Sequence, residues 1–332
     1  MYSVNCEATT LKREDDRNAI VAPLMLVIEG KGMKTPWSLL ALLWSAGQAS
    51  AALPADVKAG DIVQVLLAQL HPTQAAIGYR QLDYKLHRYQ ADPKKLFDDF
   101  CESMGQKGVD KFSSKSRISD LDSFTCKAPV GTHPGPMKTA VIAPDNALYL
   151  TDGHHTFSNF ADIGGLKTRV QVRITNDFRN LGNMNAFWQQ MEAAHLVWLD
   201  TPKGKITPDA LPKELGRKHM QDDEYRSLVY FVRDIGFEKE ETPPPFLEFY
   251  WGQWLETELP LKSFDLHDRK GYGAAVTAIA EKITDVPKDT VIAQSDTGPL
   301  TAEKLGAMKK VNEKKLEKLI SEDGKLGWAF KQ

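Results

Sequence analysis

Leu148-Tyr149-Leu150-Thr151-Asp152-Gly153-His154-His155-Thr156 is the stretch on which the fold turns. Its first half has the apolar, aromatic and β-branched make-up of a strand. Its second half starts a helical pattern that runs from His154 to Ile163 and stops at Gly164-Gly165. Gly153, between them, can take a positive φ and lets backbone approach a ligand closely. A strand that turns into a helix there leaves the first helical N–H groups unpaired, and with the helix dipole they favour an anion such as phosphate. Asp152, His154 and His155 are therefore the candidate catalytic residues, since imidazole protonates near neutral pH and a carboxylate can orient it or hold a metal. Gly153 and Thr156 are the candidate phosphate binders. Adjacent helical side chains diverge by about 100°, so the two histidines alone do not make a metal site and no metal ligands are assigned. Asp152 also fits a simple helix cap, worth about 1 kcal/mol.

Outward from this stretch, Lys138–Ala143 and Ala147–Thr151 read as strands joined by Pro144-Asp145-Asn146 in a hairpin. Lys167–Thr175 alternates apolar and polar residues and predicts a half-buried strand. Residues 61–70 predict one further strand, closed by His71-Pro72-Thr73-Gln74, where Thr73 can cap the next segment. Tyr79–Tyr89 is a polar-aromatic stretch, and Asp92-Pro93 opens a helix through Met104. Residues 105–135, rich in Gly, Ser, Lys and Pro, predict a long excursion with little regular structure. The expected fold class is α+β over residues 52–180. A mainly helical region comes next over 181–332, with helices at 183–198, 222–235, 246–256, 273–283 and 301–320. Phe249, Tyr250, Trp251 and Trp254 are expected to be core.

The N-terminus carries a different signal. Met33-Lys34-Thr35-Pro36 leads into the apolar run Trp37–Trp44, and Ala49-Ser50-Ala51 ends it. A basic start, a short apolar run and an Ala-x-Ala site predict a signal peptide over Met33–Ala51 and a periplasmic or secreted protein. The run is shorter than the roughly 20 residues that span a bilayer, so no stable membrane anchor is expected. Glu29-Gly30-Lys31-Gly32 is encoded by purine-rich codons resembling a ribosome-binding site, so residues 1–32 read as an upstream leader. Cys6 falls in that leader. Cys101 and Cys126 remain, either as a disulfide or as two free thiols. Formal net charge is -2, which excludes a global basic field that would draw the chain to nucleic acid.

The Asp152-Gly153-His154-His155-Thr156 segment, after a Leu-Tyr strand, resembles the Asp-Gly-His-His-Arg signature of the ParB/sulfiredoxin superfamily. His71–Gly78 with Tyr84-Lys85, Asp222-Asp223-Glu224-Tyr225-Arg226-Ser227-Leu228 and Pro245-Phe246-Leu247-Glu248-Phe249 are similar to flanking blocks of its ParB-like nuclease branch. The resemblance implies a nucleotide- or phosphate-handling site, with backbone amides and His154/His155 on the phosphate and Asp152 in a catalytic position. Where the superfamily's free-serine kinases carry a second acid, this chain has His71, Thr73 and Gln74. Its sulfiredoxin cysteine is a histidine here, the closing arginine is Thr156, and the two arginines of the ParB triphosphate box are absent.

Three functions fit these residues. The first is an exported nuclease or phosphodiesterase in which a histidine acts as acid or base and Asp152 orients it or holds a divalent metal. Arg80 and Lys85 offset phosphate charge in this reading, with His71 and Gln74 beside the ligand. The second is a non-catalytic module binding a phosphate ligand or a protein. The third is a small-molecule kinase, disfavoured by export because the periplasm holds almost no ATP or CTP. The expected partner is a phosphate-containing ligand or nucleic acid.

Overall fold

The computed structural model describes residues 53–240, 243–295 and 298–331. The leader at 1–32, Cys6 and the signal segment Met33–Ala51 lie outside the described residues.

The strand expected over 61–70 is two strands. β1 (Ile62–Leu66) and β2 (Leu70–Pro72) are separated by a 3-10 turn, Leu67–Gln69. Gln69 makes the break by folding back, its Oε1 accepting from the Leu66 N–H at 2.8 Å. A short β3 (Ala76–Ile77) comes next, then α1 (Tyr79–Ala91) over the polar-aromatic stretch. In α2 (Pro93–Ser103), Pro93 occupies the first turn and Asp92 caps the Lys94 N–H. The excursion beyond it holds β4 (Val109–Lys111), a 3-10 turn at Leu121–Ser123 and β5 (Thr125–Cys126). Cys101 of α2 and Cys126 of β5 are bonded, their Cα atoms 5.7 Å apart, so the excursion is pinned back onto α2. On a chain-entropy estimate, closing a loop of this length is worth about 3 kcal/mol.

The hairpin forms where the sequence places it, as β6 (Lys138–Ile142) and β7 (Leu148–Asp152). α3 (His154–Gly164) and β8 (Arg169–Asp177) succeed it. The main sheet has five strands in the order β1-β8-β6-β7-β2. Only three residues separate β1 from β2, yet they are its two edges. A flat sheet would put those edges about 19 Å apart. The connection reaches about 14 Å at most, so the sheet is strongly coiled.

Alternate residues of the strands face opposite ways. Ala140, Ile142, Leu148, Leu150, Val170, Val172 and Ile174 pack with Phe97 and Phe100 of α2 and Phe157 and Phe160 of α3. Val141 and Tyr149 face the other side, against Phe187 and Met191 of α4 (Met184–Ala193). Beyond α4 lie two short pairings. β9 (Asp200–Thr201) meets β10 (Gly204–Lys205), and β11 (Gln221–Asp222) runs parallel to β3.

The remaining helices are α5 (Glu224–Val232), α6 (Leu247–Glu258), α7 (Arg269–Asp285), α8 (Glu313–Ile320) and α9 (Lys325–Ala329). Phe249, Tyr250 and Trp251 of α6 are core, Trp251 fully buried, while Trp254 is only partly buried against them. Between α7 and α8 the chain forms a hairpin of β12 (Val291–Ser295) and β13 (Gly298–Thr301). The helix expected from Thr301 therefore starts only at Glu313. Thr301 belongs to β13, and Gly306 at φ 77° closes a turn onto the Glu303 carbonyl at 3.0 Å. Tyr84 of α1 packs in the helical core, while α4 covers the back of the sheet, so the two halves interlock. Among the described residues, no helix is long and apolar enough to cross a membrane.

What this architecture positions is one edge. β2 runs parallel to β7, pairing His71 with Tyr149 and Pro72 with Leu150. Their carboxyl ends therefore deliver Thr73 and Asp152-Gly153 side by side, the place where open sheets of parallel strands bind ligands.

Candidate functional site

Gly153 takes φ 112° and ψ 5°, a left-handed conformation, as the residue preceding α3. A Cβ there would also stand 2.7 Å from Cγ and 2.8 Å from Cδ of Lys138, so both conformation and space require glycine. No side chain caps the helix. Its first intrahelical bond runs from the Phe157 N–H to the Gly153 carbonyl at 2.8 Å. The amides of His154, His155 and Thr156 make up the first turn that such a start leaves without helical acceptors.

Asp152 closes β7 with its side chain 62% exposed and 3.3 Å from Lys138 Nζ. It is crowded by neighbouring atoms yet wetted. That crowding raises its pKa, and Lys138, with Lys239 and His154 behind it, outweighs the effect and leaves the carboxyl below its ordinary range. Asp152 is thus ionised at neutral pH.

The imidazoles are held differently. Nε2 of His154, which is 3% exposed, accepts the Thr73 N–H at 3.0 Å. Thr73 uses its only hydroxyl proton on the Leu150 carbonyl, at 2.7 Å, so its 3.4 Å approach to the same ring nitrogen donates nothing. His155 Nε2 accepts the Gly78 N–H at 2.9 Å. A backbone N–H can only donate, so both rings present a lone pair at Nε2 and carry their neutral proton on Nδ1. Burial, against the pull of Asp152, takes His154 down to about 4. Burial, then Arg226, takes His155 well below its ordinary value. Both rings are neutral at pH 7 and tie the start of α3 to the chain on either side of β3. This differs from the expected acid–base role, because the lone pair that would take a proton is already committed.

The structure also gives four expected phosphate binders other partners. Arg80 lies 3.3 Å from Asp83 and 4.1 Å above the Phe330 ring. Lys85 meets Asp99 at 2.5 Å. His71 stacks on Tyr149, centroids 5.3 Å apart, on the α4 side of the sheet. Gln74, 4% exposed, donates to the Ala76 carbonyl at 2.6 Å and shapes the β2–β3 turn. Thr73, expected to cap the segment after it, instead bonds back to β7.

Other cations stand near the imidazoles. Arg226 of α5 is 7% exposed, and its Nη1 donates to Gln81 at 3.3 Å. Arg233, just past the end of α5, forms an ion pair with Glu248 of α6. The same carboxylate lies 3.9 Å from Arg226 Nη2. Burial pushes the Glu248 carboxyl up, and the two guanidiniums outweigh it, bringing it to about 2. The Nε atoms of Arg226 and Arg233 are both buried without a hydrogen-bond partner. Sequence reasoning assigned no role to Arg226, Arg233, Glu248 or Lys138. A signal existed for two of them: each is a charged residue inside an apolar helical run, which persists only when paired. Among the described residues, no group of three or more His, Cys, Asp or Glu side chains gathers as a metal site.

A family model described as "Putative ParB-like nuclease" matches residues 63–257, more than half of the chain and all of the site above. No curated protein matches the chain. Among solved structures, protein Atu1540 from Agrobacterium tumefaciens is similar at 21% identity and a TM-score of 0.46, over 68% of this chain and 93% of that one. With its strand–glycine–helix motif, its α5 block and its α6 block all inside the matched span, the chain belongs to the ParB-like nuclease family.

Proposed function

We propose that the chain is an exported ParB-like hydrolase of phosphodiesters that seats a phosphate group at the start of α3. The observation that carries this is Gly153: its left-handed turn opens the first turn of α3 beneath Lys138 and beside an exposed, ionised Asp152. The amides and Lys138 offset the charge on the phosphoryl oxygens. Asp152 orients the attacking water, or shares a divalent cation with the ligand's own oxygens. His154 and His155 set the shape of the site as neutral rings.

The commitment of both Nε2 atoms to backbone amides favours a second reading, a module that binds a phosphate ligand without cleaving it. The kinase reading has less support, because buried Thr73 stands where a second acid is needed.

The test is to incubate the purified protein with plasmid DNA, RNA and a generic phosphodiester, with and without magnesium or manganese. Cleavage that Asp152→Asn lowers by about a hundredfold or more supports hydrolysis. Binding of a phosphate ligand without turnover moves the assignment to the second reading, and cleavage untouched by Asp152→Asn removes this site from the chemistry. Export is tested separately, by sequencing the N-terminus of the secreted protein: a mature end far from Ala52 defeats it.

A further inference from the structure

Arg226 and Arg233 are the feature of the site that its own residues leave unexplained. The two guanidiniums carry ten N–H donors between them and share one carboxylate, Glu248. Gln81 takes one more donor, and both Nε groups are buried with no acceptor. An unmatched donor on a buried cation is costly, and native proteins keep few. Two like charges so close together raise that cost further.

Their location is set by the backbone. α5 begins against β3, its Asp223 N–H donating to the Ile77 carbonyl at 2.9 Å. One residue on, the Gly78 N–H holds His155. Arg226, one turn into α5, donates to Gln81, one turn into α1. Arg226 and Arg233 are accordingly among the cations acting on the His155 ring, together with Lys138 over Gly153. Arg226 is sealed in, while Arg233, its side chain 29% exposed, gives access from solvent.

We propose that Arg226 and Arg233 form a clamp for a terminal phosphate, a phosphomonoester dianion, and that Glu248 occupies the clamp in the unliganded protein. A carboxylate offers two oxygens in a plane. A terminal phosphate offers three in a tetrahedron and one more negative charge, which matches two guanidiniums with Nε donors still unmatched. A phosphodiester, with two free oxygens and one charge, matches the pair no better than Glu248 does. The proposal rests on the phosphate-site reading and narrows it, to a substrate end or a product bearing a free phosphate.

Titration calorimetry on the full chain tests it, with inorganic phosphate, a nucleoside 5′-monophosphate and dimethyl phosphate as probes. Monoester and inorganic phosphate are expected to bind at least tenfold tighter than dimethyl phosphate. Arg233→Gln, at a partly exposed position, is expected to weaken the monoester by roughly tenfold or more. Glu248→Gln is expected to tighten it by a similar factor, read also as a larger rise in melting temperature on adding phosphate. Lys85→Gln serves as the control and leaves binding unchanged. Equal affinity for diester and monoester, or no loss in Arg233→Gln, overturns the clamp. If the clamp fails while cleavage still depends on Asp152, the phosphate-site reading stands without it; if Asp152 is also dispensable, both fall.

Discussion

Arg80 and Lys85 of α1 stand in contrast to Arg226 of α5 and Arg233 just past its end, and the chain treats the two pairs differently. Lys85 of α1 has Asp99 at 2.5 Å. Arg80 shares Asp83 with Arg217, but the two guanidinium side chains are 25% and 40% exposed, so water completes their hydrogen bonding. Arg226 and Glu248 are each 8% exposed at the side chain, and Arg226 and Arg233 both compete for that carboxylate. Protein and water together satisfy the α1 cations, which makes them scaffold. The α5 pair is instead short of acceptors, with both Nε groups buried and unmatched and Arg226 itself dry, the condition in which an incoming anion gains most.

The largest effect expected from this contrast is on stability. Glu248→Ala takes away the carboxylate that buried Arg226 and part-exposed Arg233 share and should cost about 3–5 kcal/mol in urea unfolding. Lys85→Gln, which breaks the part-exposed pair with Asp99 and leaves Asp99 bonded to the Tyr89 hydroxyl, should cost only about 1 kcal/mol. Similar losses at the two positions would dissolve the distinction between satisfied cations and those short of acceptors.

The next effect is on acid sensitivity. His154 is held near 4 in the folded protein and titrates near 6.5 once unfolded, so the unfolded chain binds the proton first. Stability is then full above about pH 6.5, falls as pH drops towards 4, and levels off below that. The expected loss is on the order of 3 kcal/mol. His155 adds to it in the same direction. His154→Gln should flatten this slope when unfolding is followed by urea at several pH values. Arg226 lowers His154, so Arg226→Gln should raise the lower end of this pH window and shrink the loss, whereas Lys85→Gln should leave both in place. An unchanged slope in His154→Gln would mean that the ring titrates with the solvent.

Much of this was legible in the residues. The hairpin about Pro144-Asp145-Asn146, the break at Gly153 and the cap at Asp92 are local events, fixed by turn and capping chemistry within a few positions. The Leu67–Gln69 turn was not legible, because 61–70 has the composition of a continuous strand. Only the side-chain bond from Gln69 to Leu66 and the coiling of the sheet interrupt it. The candidate site divides in the same way. Asp152, Gly153 and the histidines are neighbours in sequence and stood out. The partners of the rings, Thr73 and Gly78, lie 81 and 77 residues away from them. Arg226 and Arg233 reach the site only because α5 docks on β3, which no local pattern encodes. Arg80 and Lys85 stood out as cations near a motif; Arg80 meets Asp83 one turn along α1, a spacing the sequence carries, whereas Lys85 meets Asp99 only because α2 packs on α1.

Backbone and surface variants sharpen the comparison at its smaller end. Gly153→Ala forces a Cβ into a left-handed turn and against Lys138, and should cost about 1–3 kcal/mol while weakening phosphate binding. Arg80→Gln removes one wetted ion pair and a cation held 4.1 Å over Phe330. Each is worth at most about 1 kcal/mol, so melting should move by a few degrees or less. Phosphate affinity should stay within twofold. A tenfold loss in Arg80→Gln would mean that the α1 cation reaches the ligand despite its pairing with Asp83. The supply of acceptors would then have been the wrong criterion for separating scaffold cations from binding ones.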